Sequence, residues 1–219
     1  MNVLIIGANG RTGRRVAQLL LATEHQPVAM VRHPDQREFF DGLGIPTVLG
    51  DLEYPLDHVF KAYGGFDAVV FAAGSVRQNT IDKAVLIDHL GPIRAACAAV
   101  MHKAKRFILL SALNADEQST SSMAYYHRAK GFSDRFVQEI EQAFKGDGLD
   151  WTIIHPGGLS DDPGTGHVAI TESTHGKGAS RRDDVAATIV ACLDHPGTIG
   201  KSFSVLNGDT PLKDALDML

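Results

Sequence analysis

The sequence has few of the residues that mark disulfide-linked, metal-binding or nucleic-acid-binding proteins. It contains two cysteines in 219 residues, 21 lysines and arginines against 26 aspartates and glutamates, and a formal net charge of -5. Cys97 and Cys192 both lie in apolar, helix-like stretches. We therefore expect them in the core, and neither in a disulfide framework nor at a metal. The negative charge and the scattered basic residues argue against a nucleic-acid partner.

Long apolar runs and a basic leader are also lacking. A membrane-spanning helix needs about 18 or more consecutive apolar residues, and a signal peptide needs a basic start. The chain shows neither, and it starts directly with the apolar segment Val3-Leu4-Ile5-Ile6. We therefore expect a cytoplasmic protein without a membrane partner. The ten histidines show no spacing that suits a metal.

The chain does have a regular alternation of short apolar segments and longer helical patterns. The predicted strands are residues 2–6, 27–32, 46–49, 67–72, 105–111, 150–154 and 202–206. The predicted helices are residues 12–23, 54–62, 80–103, 122–146, 182–194 and 211–218. Almost uninterrupted apolar strands are typical of a parallel sheet that is covered on both faces. The pattern predicts an α/β protein with a doubly wound parallel sheet, the Rossmann fold.

We expect one domain over residues 1–219, with a small C-terminal region of substrate loops. The longest irregular stretch, residues 156–181, contains six glycines and is predicted to include a short hairpin around 167–172. A long loop after a late strand is more often a substrate lid than a disordered segment. The segments 74–80, 113–122 and 156–178 are expected to shape the substrate pocket.

A glycine-rich turn follows the first predicted strand and opens the first helix. It reads Gly7-Ala8-Asn9-Gly10-Arg11-Thr12-Gly13. Gly7 permits a tight turn, Gly10 lets the backbone approach a pyrophosphate, and Gly13 lets the helix pack close to the sheet. The free N–H groups and the positive end of the helix dipole would then bind the anion. The turn predicts a dinucleotide site, and the alternative is a glycine-rich turn that binds nothing.

The residues at the ends of the second and third strands bear on which dinucleotide binds. An NAD site usually has Asp or Glu after the second strand, where this chain has Arg32. A guanidinium can clamp a 2′-phosphate, so NADP(H) is favoured over NAD, although Arg32 could be an ordinary surface charge. Asp51 could accept a hydrogen bond from the adenine and Leu52 could pack on its ring. Asp51 could also cap a helix.

Together with later segments, these residues resemble the short-chain dehydrogenase/reductase superfamily. The closest likeness is to its atypical branch, which includes NAD-dependent epimerase/dehydratase-like and other NAD(P)H-binding proteins. The resemblance covers nearly the whole chain, and the order of the segments is more specific than any one of them. After the glycine turn they are 70–74 (VFAAG), 88–91 (DHLG), 106–111 (RFILLS), 126–130 (YHRAK), 150–157 (DWTIIHPG) and 180–186 (SRRDDVA).

The resemblance implies a catalytic group of Tyr126, Lys130, Ser111 and Asp88. Residues four apart lie on one helix face, so Lys130 could lower the pKa of the Tyr126 phenol, which would exchange a proton with the substrate. Lys130 could also bind the nicotinamide ribose. Ser111 would line the site or merely end its strand, and Asp88 would orient Lys130, hold a water or bond to backbone. The alternative for the pair is an ordinary amphipathic helix.

The resemblance also implies which residues hold the cofactor. They are Gly7, Asn9, Gly10, Arg11, Thr12, Gly13, Arg32, Asp51, Leu52, Ala72, Ala73, Gly74, Lys130, Pro156 and Gly157. In relatives, the backbone of the Pro-Gly pair contacts the nicotinamide amide, and proline fixes that turn. His155, which precedes the pair, is more simply interpreted as a packed residue of the strand than as a proton carrier.

Three functions are compatible with these residues. The favoured one is an NADP(H)-dependent oxidoreductase that acts on a small carbonyl, quinone or flavin-like substrate. The second is an NADP(H)-binding, redox-sensing regulator with little turnover, because fold does not fix function. A sugar-nucleotide epimerase ranks last, because only about forty residues are left to build a substrate pocket. We expect a small-molecule substrate and a monomer or homodimer.

Overall fold

The structure, a computed structural model, describes residues 1–62, 65–75, 80–144 and 148–219. Its strands are β1 (Asn2–Ile6), β2 (Gln26–Val31), β3 (Thr47–Leu49), β4 (Ala68–Phe71), β5 (Arg106–Leu110), β6 (Asp150–Pro156), β7 (Gly158–Ser160), β8 (His167–Thr171), β9 (Ala179–Arg181), β10 (Lys201–Asn207) and β11 (Thr210–Pro211). Its α-helices are α1 (Arg11–Leu20), α2 (Arg37–Asp41), α3 (Asp57–Ala62), α4 (Ile81–Lys83), α5 (Leu90–Met101), α6 (Ala124–Gln138), α7 (Ile140–Ala143), α8 (Arg182–Asp194) and α9 (Leu212–Asp217).

Within the described residues, the main sheet has nine strands in the order β11-β8-β10-β6-β5-β4-β1-β2-β3. Its strands are parallel except for β8, which pairs antiparallel with both β10 and β11. The chain leaves β1 toward β2 on one side and later returns to β4 on the other. In an open α/β sheet, ligands bind outside the carboxyl ends of the strands at such a switch point. The predicted α/β fold is confirmed.

Apolar side chains pack on both faces of the sheet, as a doubly wound fold requires. On one face, Val16 of α1 and Ile189 of α8 are fully buried in one core cluster. On the other face, Phe60 of α3, Ala95 of α5 and Val137 of α6 are fully buried in a second cluster. Burial on both faces explains why the strands read as continuous apolar runs.

Two predicted segments differ from the structure. The segment 167–172 is not a hairpin, because β8 is a single strand that lies between β10 and β11 in the main sheet. The predicted helix 122–146 is divided into α6 and α7 at Glu139, whose backbone angles (φ -99°, ψ 9°) leave the helical region. Its last two residues, 145 and 146, lie outside the described part of the chain, as do residues 76–79 of the predicted pocket loop.

The predicted helix 80–103 is observed as Ile81–Met101, with a π-helical turn at Ala84–His89 between α4 and α5. By length and mean hydropathy alone, this helix could cross a membrane, but half of the window is buried inside the protein. It packs against α6 and β4 and carries the fully buried Asp88. These contacts are those of a helix in the core of a domain.

Candidate active site

A groove of about 360 Å³ lies at the carboxyl ends of the strands on both sides of β1. Nine of the residues predicted to hold the cofactor line it: Gly7, Asn9, Gly10, Arg32, Asp51, Leu52, Ala72, Ala73 and Gly74. Met30, Gln36, Gly50 and Ile87 also line it and were not predicted. Segments from the ends of four strands therefore meet where the topology predicts a ligand.

The glycine turn has the shape that a pyrophosphate needs. Gly7 has a positive φ of 83°, and an added Cβ would lie 2.5 Å from the Ala73 nitrogen. A Cβ on Gly13 would overlap the Gly7 carbonyl oxygen, whereas at Gly10 the nearest atom, the same oxygen, would be 3.1 Å away. Gly7 and Gly13 thus serve close packing, and Gly10 faces the groove.

The N-terminus of α1 suits an anion. No described side chain caps this helix, and its first turn holds no acidic residue. Uncapped N–H groups and the positive end of the dipole are the usual phosphate-binding features of such a helix. The residues present therefore fit a dinucleotide at this turn.

Two guanidinium groups lie near the outer part of the groove. Arg32 is exposed, with its Nε 3.0 Å from His33 Nε2 and its backbone N–H donating to Gln36 Oε1 at 2.8 Å. Arg14 stacks over the Phe39 ring at 4.2 Å and donates through Nε to Asn9 Oδ1 at 3.1 Å. Positive charge therefore surrounds the end of β2, where an NAD site would have a carboxylate.

Asp51 forms a local turn as well as lining the groove. Its Oδ1 accepts the Glu53 backbone N–H at 3.0 Å, but the next helix, α3, begins only at Asp57, so Asp51 is not the helix cap of the alternative interpretation. Leu52 is buried beside it, and the Leu52 carbonyl accepts a hydrogen bond from Arg94. Both residues remain in position to face an adenine.

Arg11 does not line the groove, although it belongs to the glycine turn. Its guanidinium pairs with Asp161 in the loop after β7. Arg182 also reaches Asp161, at 2.9 Å, and Arg15 reaches it at 3.4 Å. Thr12 and Gly13 are buried beneath the turn. This charge cluster ties the substrate loop to the first helix.

A second cavity of about 550 Å³ lies at the carboxyl ends of β5 and β6. Ser111 and Tyr126 line it together with Pro156 and Gly157, and Leu113, Met123 and Leu159 contribute apolar surface. The end of β5, the first turn of α6 and the end of β6 therefore bring the predicted serine, tyrosine and Pro-Gly pair to one space. Of the predicted pocket segments, 113–122 and 156–178 both contribute residues.

Lys130 and Asp88 form a buried ion pair beneath this cavity. Lys130 Nζ lies 3.2 Å from Asp88 Oδ1 and donates to the Leu110 carbonyl at 3.3 Å. Asp88 Oδ2 accepts hydrogen bonds from both the backbone N–H and the hydroxyl of Ser75. The π-helical turn presents Asp88 to this site, a placement that such turns often serve. Asp88 therefore both orients Lys130 and bonds to backbone.

The electrostatics of Tyr126 differ from the sequence expectation. Burial raises the pKa of the phenol above its usual value, and Asp88 and Asp134 add to that, while Lys130 only partly opposes it. Lys130 Nζ is 6.0 Å from the centre of the Tyr126 ring. Burial alone would lower the pKa of Lys130, but Asp88, Tyr126 and Asp134 raise it overall. Tyr126 is thus a protonated phenol beside a charged lysine, which suits a proton donor.

Sequence reasoning missed Asp134, which lies beside Ser111. The Ser111 hydroxyl donates to Asp134 Oδ2 at 2.7 Å, and both side chains are buried. Its position was readable, because Tyr126, Lys130 and Asp134 are spaced by four and share one helix face. His155 packs behind the site against Ala112 and Ser202, as the simpler interpretation predicted.

Comparison with known sequences agrees with this geometry. Residues 7–196 match the sequence profile of a family described as NAD(P)H-binding. The chain belongs to this family. Its sequence is 37% identical to that of the uncharacterized sugar epimerase YhfK of Bacillus subtilis, over 100% of both chains. It is 29% identical to a Streptomyces griseus (4-alkanoyl-5-oxo-2,5-dihydrofuran-3-yl)methyl phosphate reductase, over 93% of this chain and 67% of that one.

A solved structure supports the same placement. A Bacillus halodurans protein, provisionally described as an NAD-dependent epimerase/dehydratase, superposes with a TM-score of 0.90 and 37% identity, covering 100% of both chains. The predicted membership of the atypical short-chain dehydrogenases/reductases is confirmed. An oxidoreductase of this NAD(P)H-binding family is favoured over the redox-sensing regulator.

Proposed function

We propose that this family member is an NADP(H)-dependent oxidoreductase that reduces a small carbonyl, quinone or flavin-like substrate. The observation that carries the proposal is that one sheet carries both parts of such a site at the carboxyl ends of its strands. Nine predicted cofactor residues line the groove at the glycine turn, and Ser111, Tyr126 and the Pro156-Gly157 pair line one cavity. A nicotinamide that reached from the groove to this cavity would meet the proposed proton donor.

The preference for NADP(H) is supported by Arg32. Its exposed guanidinium at the end of β2 is available to a 2′-phosphate, which it can bind through two parallel hydrogen bonds. Arg14, held over Phe39, would add a second positive charge near the same end of the groove. A ribose 2′-hydroxyl would lack the acidic partner that an NAD site offers.

The roles of the catalytic group follow from their protonation states. When bound, a dihydronicotinamide would supply the hydride. Tyr126 would donate its phenolic proton to the substrate oxygen, and the Lys130 ammonium would stabilise the tyrosinate that forms. Asp88 would hold Lys130 in place. Ser111 would donate a hydrogen bond to the same substrate oxygen.

The size and lining of the cavity support a small, partly apolar substrate. About 550 Å³ is at the low to middle part of the usual range for ligand pockets. Leu113, Met123 and Leu159 offer apolar contact beside the polar and charged side chains of Asn114, Lys177 and Arg182, in a space that is small for a nucleotide sugar. Reduction of a compact carbonyl or quinone is therefore proposed ahead of epimerisation, although YhfK carries the epimerase name.

The test is a binding measurement followed by a substrate panel. NADPH and NADH affinities are measured by calorimetry, and NADPH oxidation is then followed with quinones, aldehydes and flavins. We expect tighter binding of NADPH and turnover of at least one substrate class. Tight NADPH binding without turnover of any panel member would favour the regulator, and absence of dinucleotide binding would refute both.

A further inference from the structure

Ser111 is hydrogen-bonded to a buried aspartate, Asp134, which has no role in the catalytic group proposed above. Asp134 Oδ2 accepts the Ser111 hydroxyl, and Asp134 Oδ1 is buried without a hydrogen-bond partner among the described residues. A buried carboxylate oxygen that accepts no hydrogen bond is costly when it is charged. The environment of Asp134 therefore bears on its protonation.

His155 is not a positive partner for Asp134. Its Nδ1 lies 2.9 Å from the Ala112 carbonyl oxygen, which can only accept, so Nδ1 carries the hydrogen. Its Nε2 lies 2.9 Å from the Ser202 hydroxyl and accepts from it. Burial lowers the pKa of His155 to about 4, so the ring is neutral at physiological pH. His155 Nδ1 lies 3.9 Å from Asp134 Oδ2, and because the ring is neutral this contact is not an ion pair.

The buried charges around Ser111 leave an ionised Asp134 without a positive charge of its own. Two buried carboxyl groups, Asp88 and Asp134, share the ammonium of Lys130, which among the described residues is the one buried lysine. That ammonium lies 3.2 Å from Asp88. If both carboxyl groups were ionised, one buried negative charge would lack a partner. In agreement, burial raises the pKa of Asp134 to about 7, against the opposing effects of Ser111 and Lys130.

The protonation of Asp134 decides what Ser111 can do. A serine hydroxyl has one hydrogen to donate. An ionised Asp134 only accepts, so it takes that hydrogen and Ser111 has none left for a substrate. A protonated Asp134 can donate to Ser111 Oγ, and the serine hydrogen can then turn into the cavity that Tyr126 lines.

We propose that Asp134 is a positioning residue that, in its protonated form, turns the Ser111 hydroxyl toward the oxygen of the substrate. This inference rests on the proposed reductase function. Asp134 keeps its proton during turnover, because the proton that the substrate gains comes from Tyr126. Ser111 changes only the direction in which it donates.

A separate cavity gives Asp134 its own route to solvent. Asp134 and His155 line a space of about 470 Å³ that does not include Ser111 or Tyr126 among its lining residues. Asp134 can therefore gain or lose its proton while the substrate cavity is closed. The charged or titratable groups around it include Tyr126, Lys130, Arg135 and Glu139 of the helical segment, Asp116 and Glu117 of the preceding loop, and His155.

The first experiment examines the resting protein. Aspartate side-chain carboxyl carbons are labelled with ¹³C and titrated by NMR, and the Asp134 signal is assigned by its loss in Asp134→Asn. We expect a midpoint near the value of about 7 in the parent protein. Ser111→Ala should move the midpoint higher, because a hydrogen bond to the carboxylate favours ionisation. A midpoint in the ordinary aspartate range would overturn the proposal.

The second experiment follows kcat/KM against pH. Above the midpoint, the parent enzyme should lose about tenfold per pH unit, until the contribution of one hydrogen-bond donor, about 100-fold, is gone. Asp134→Asn can donate its amide hydrogen to Ser111 at every pH, so its profile should be flat across this interval. Asp134→Ala can neither accept the Ser111 hydrogen nor hold Ser111 in place, so its profile should also be flat, at a lower rate than that of Asp134→Asn.

Glu117→Gln is the matched control. It removes a negative charge from the same cavity without touching Ser111, and it should keep the pH profile of the parent enzyme. An unchanged profile in Asp134→Asn would refute the inference. If NADPH binds but no substrate is reduced, the proposed function fails. The NMR titration then still shows whether Asp134, the hydrogen-bond partner of Ser111, is protonated near neutral pH.

Discussion

Lys130 Nζ lies 3.2 Å from Asp88 Oδ1, and both side chains are almost completely buried. Asp88 Oδ1 accepts no well-aligned hydrogen bond from a described residue, so the contact is an ion pair. Its other oxygen is held by Ser75. The pair fixes the ammonium below the Tyr126 ring, and neither charge can be removed without leaving the other one buried and unpaired.

Lys130→Met should therefore destabilise the protein and weaken catalysis together. Loss of one partner of a buried ion pair typically costs about 3–5 kcal/mol. Adding Asp88→Asn should recover a large part of the free energy of unfolding but none of the turnover, because the ammonium is still missing. Urea denaturation and steady-state turnover of the parent, Lys130→Met and the double variant measure this. A single variant as stable as the parent would contradict the ion pair.

Tyr126→Phe should lower kcat and leave NADPH affinity nearly unchanged. The phenol acts on the substrate oxygen, so its loss appears in the transition state. General acid catalysis typically contributes about 100- to 10,000-fold. Steady-state kinetics with the best substrate measure the effect. Tyr125→Phe, a change in the preceding residue, should keep the parent kcat. Equal rates for both variants would remove Tyr126 from the mechanism.

Arg32→Glu should reduce NADPH affinity by about 2 kcal/mol or more, which is roughly 30-fold. The variant replaces a phosphate ligand by a repelling carboxylate and should improve NADH binding relative to NADPH. Calorimetry with both cofactors tests this. Lys213→Glu makes the same change of charge on the exposed surface of α9 and should have no effect. Equal affinities of the parent protein for the two cofactors would refute the role of Arg32.

Gly10→Val should abolish cofactor binding while the protein stays folded. Its side chain would enter the space in which the turn faces the groove. Dissociation constants and thermal unfolding are measured in parallel. Gly42→Val is the control, because an added Cβ there meets only ordinary contacts with the preceding helix, 3.5 Å and more away. An unchanged dissociation constant in Gly10→Val would exclude this position from the site.

Asp134→Asn should become more stable relative to the parent protein as pH rises. The raised pKa of Asp134, about 7, means that the folded state holds a proton that the unfolded state releases near its ordinary pKa of 3.8. This contribution is therefore complete below pH 4 and is lost as pH rises toward 7. It amounts to at most about 4 kcal/mol.

The parent protein alone would not isolate Asp134, because His155 changes the free energy of unfolding with pH in the opposite direction. Its lowered pKa, about 4, gives stability that is present above the ordinary value of 6.5 and is lost as pH falls. Subtracting the urea unfolding free energies of Asp134→Asn and the parent at each pH isolates Asp134. A difference that does not change between pH 4 and 7 would contradict a raised pKa.

Local patterns in the sequence were sufficient for the fold and for one end of the site. Apolar runs without alternation predicted strands buried on both faces, and the core clusters on the two sides of the sheet agree with that. Gly7, Gly10 and Gly13 predicted the turn by their spacing, and the positive φ of Gly7 and the close approach of Gly13 to the Gly7 carbonyl are requirements of the turn itself. The spacing of Tyr126 and Lys130 likewise placed both on one helix face.

Only the tertiary structure decided which partners these residues have. Asp88 reaches Lys130 because a π-helical turn packs against α6. Asp134 reaches Ser111 because β5 ends beside α6. Asp161 forms ion pairs with arginines of two helices, α1 and α8. β8 forms no hairpin of its own, because its pairing partners, β10 and β11, come much later in the chain. The sequence determines periodicity and turn geometry locally, whereas burial, charge balance and pKa depend on residues that only folding brings together.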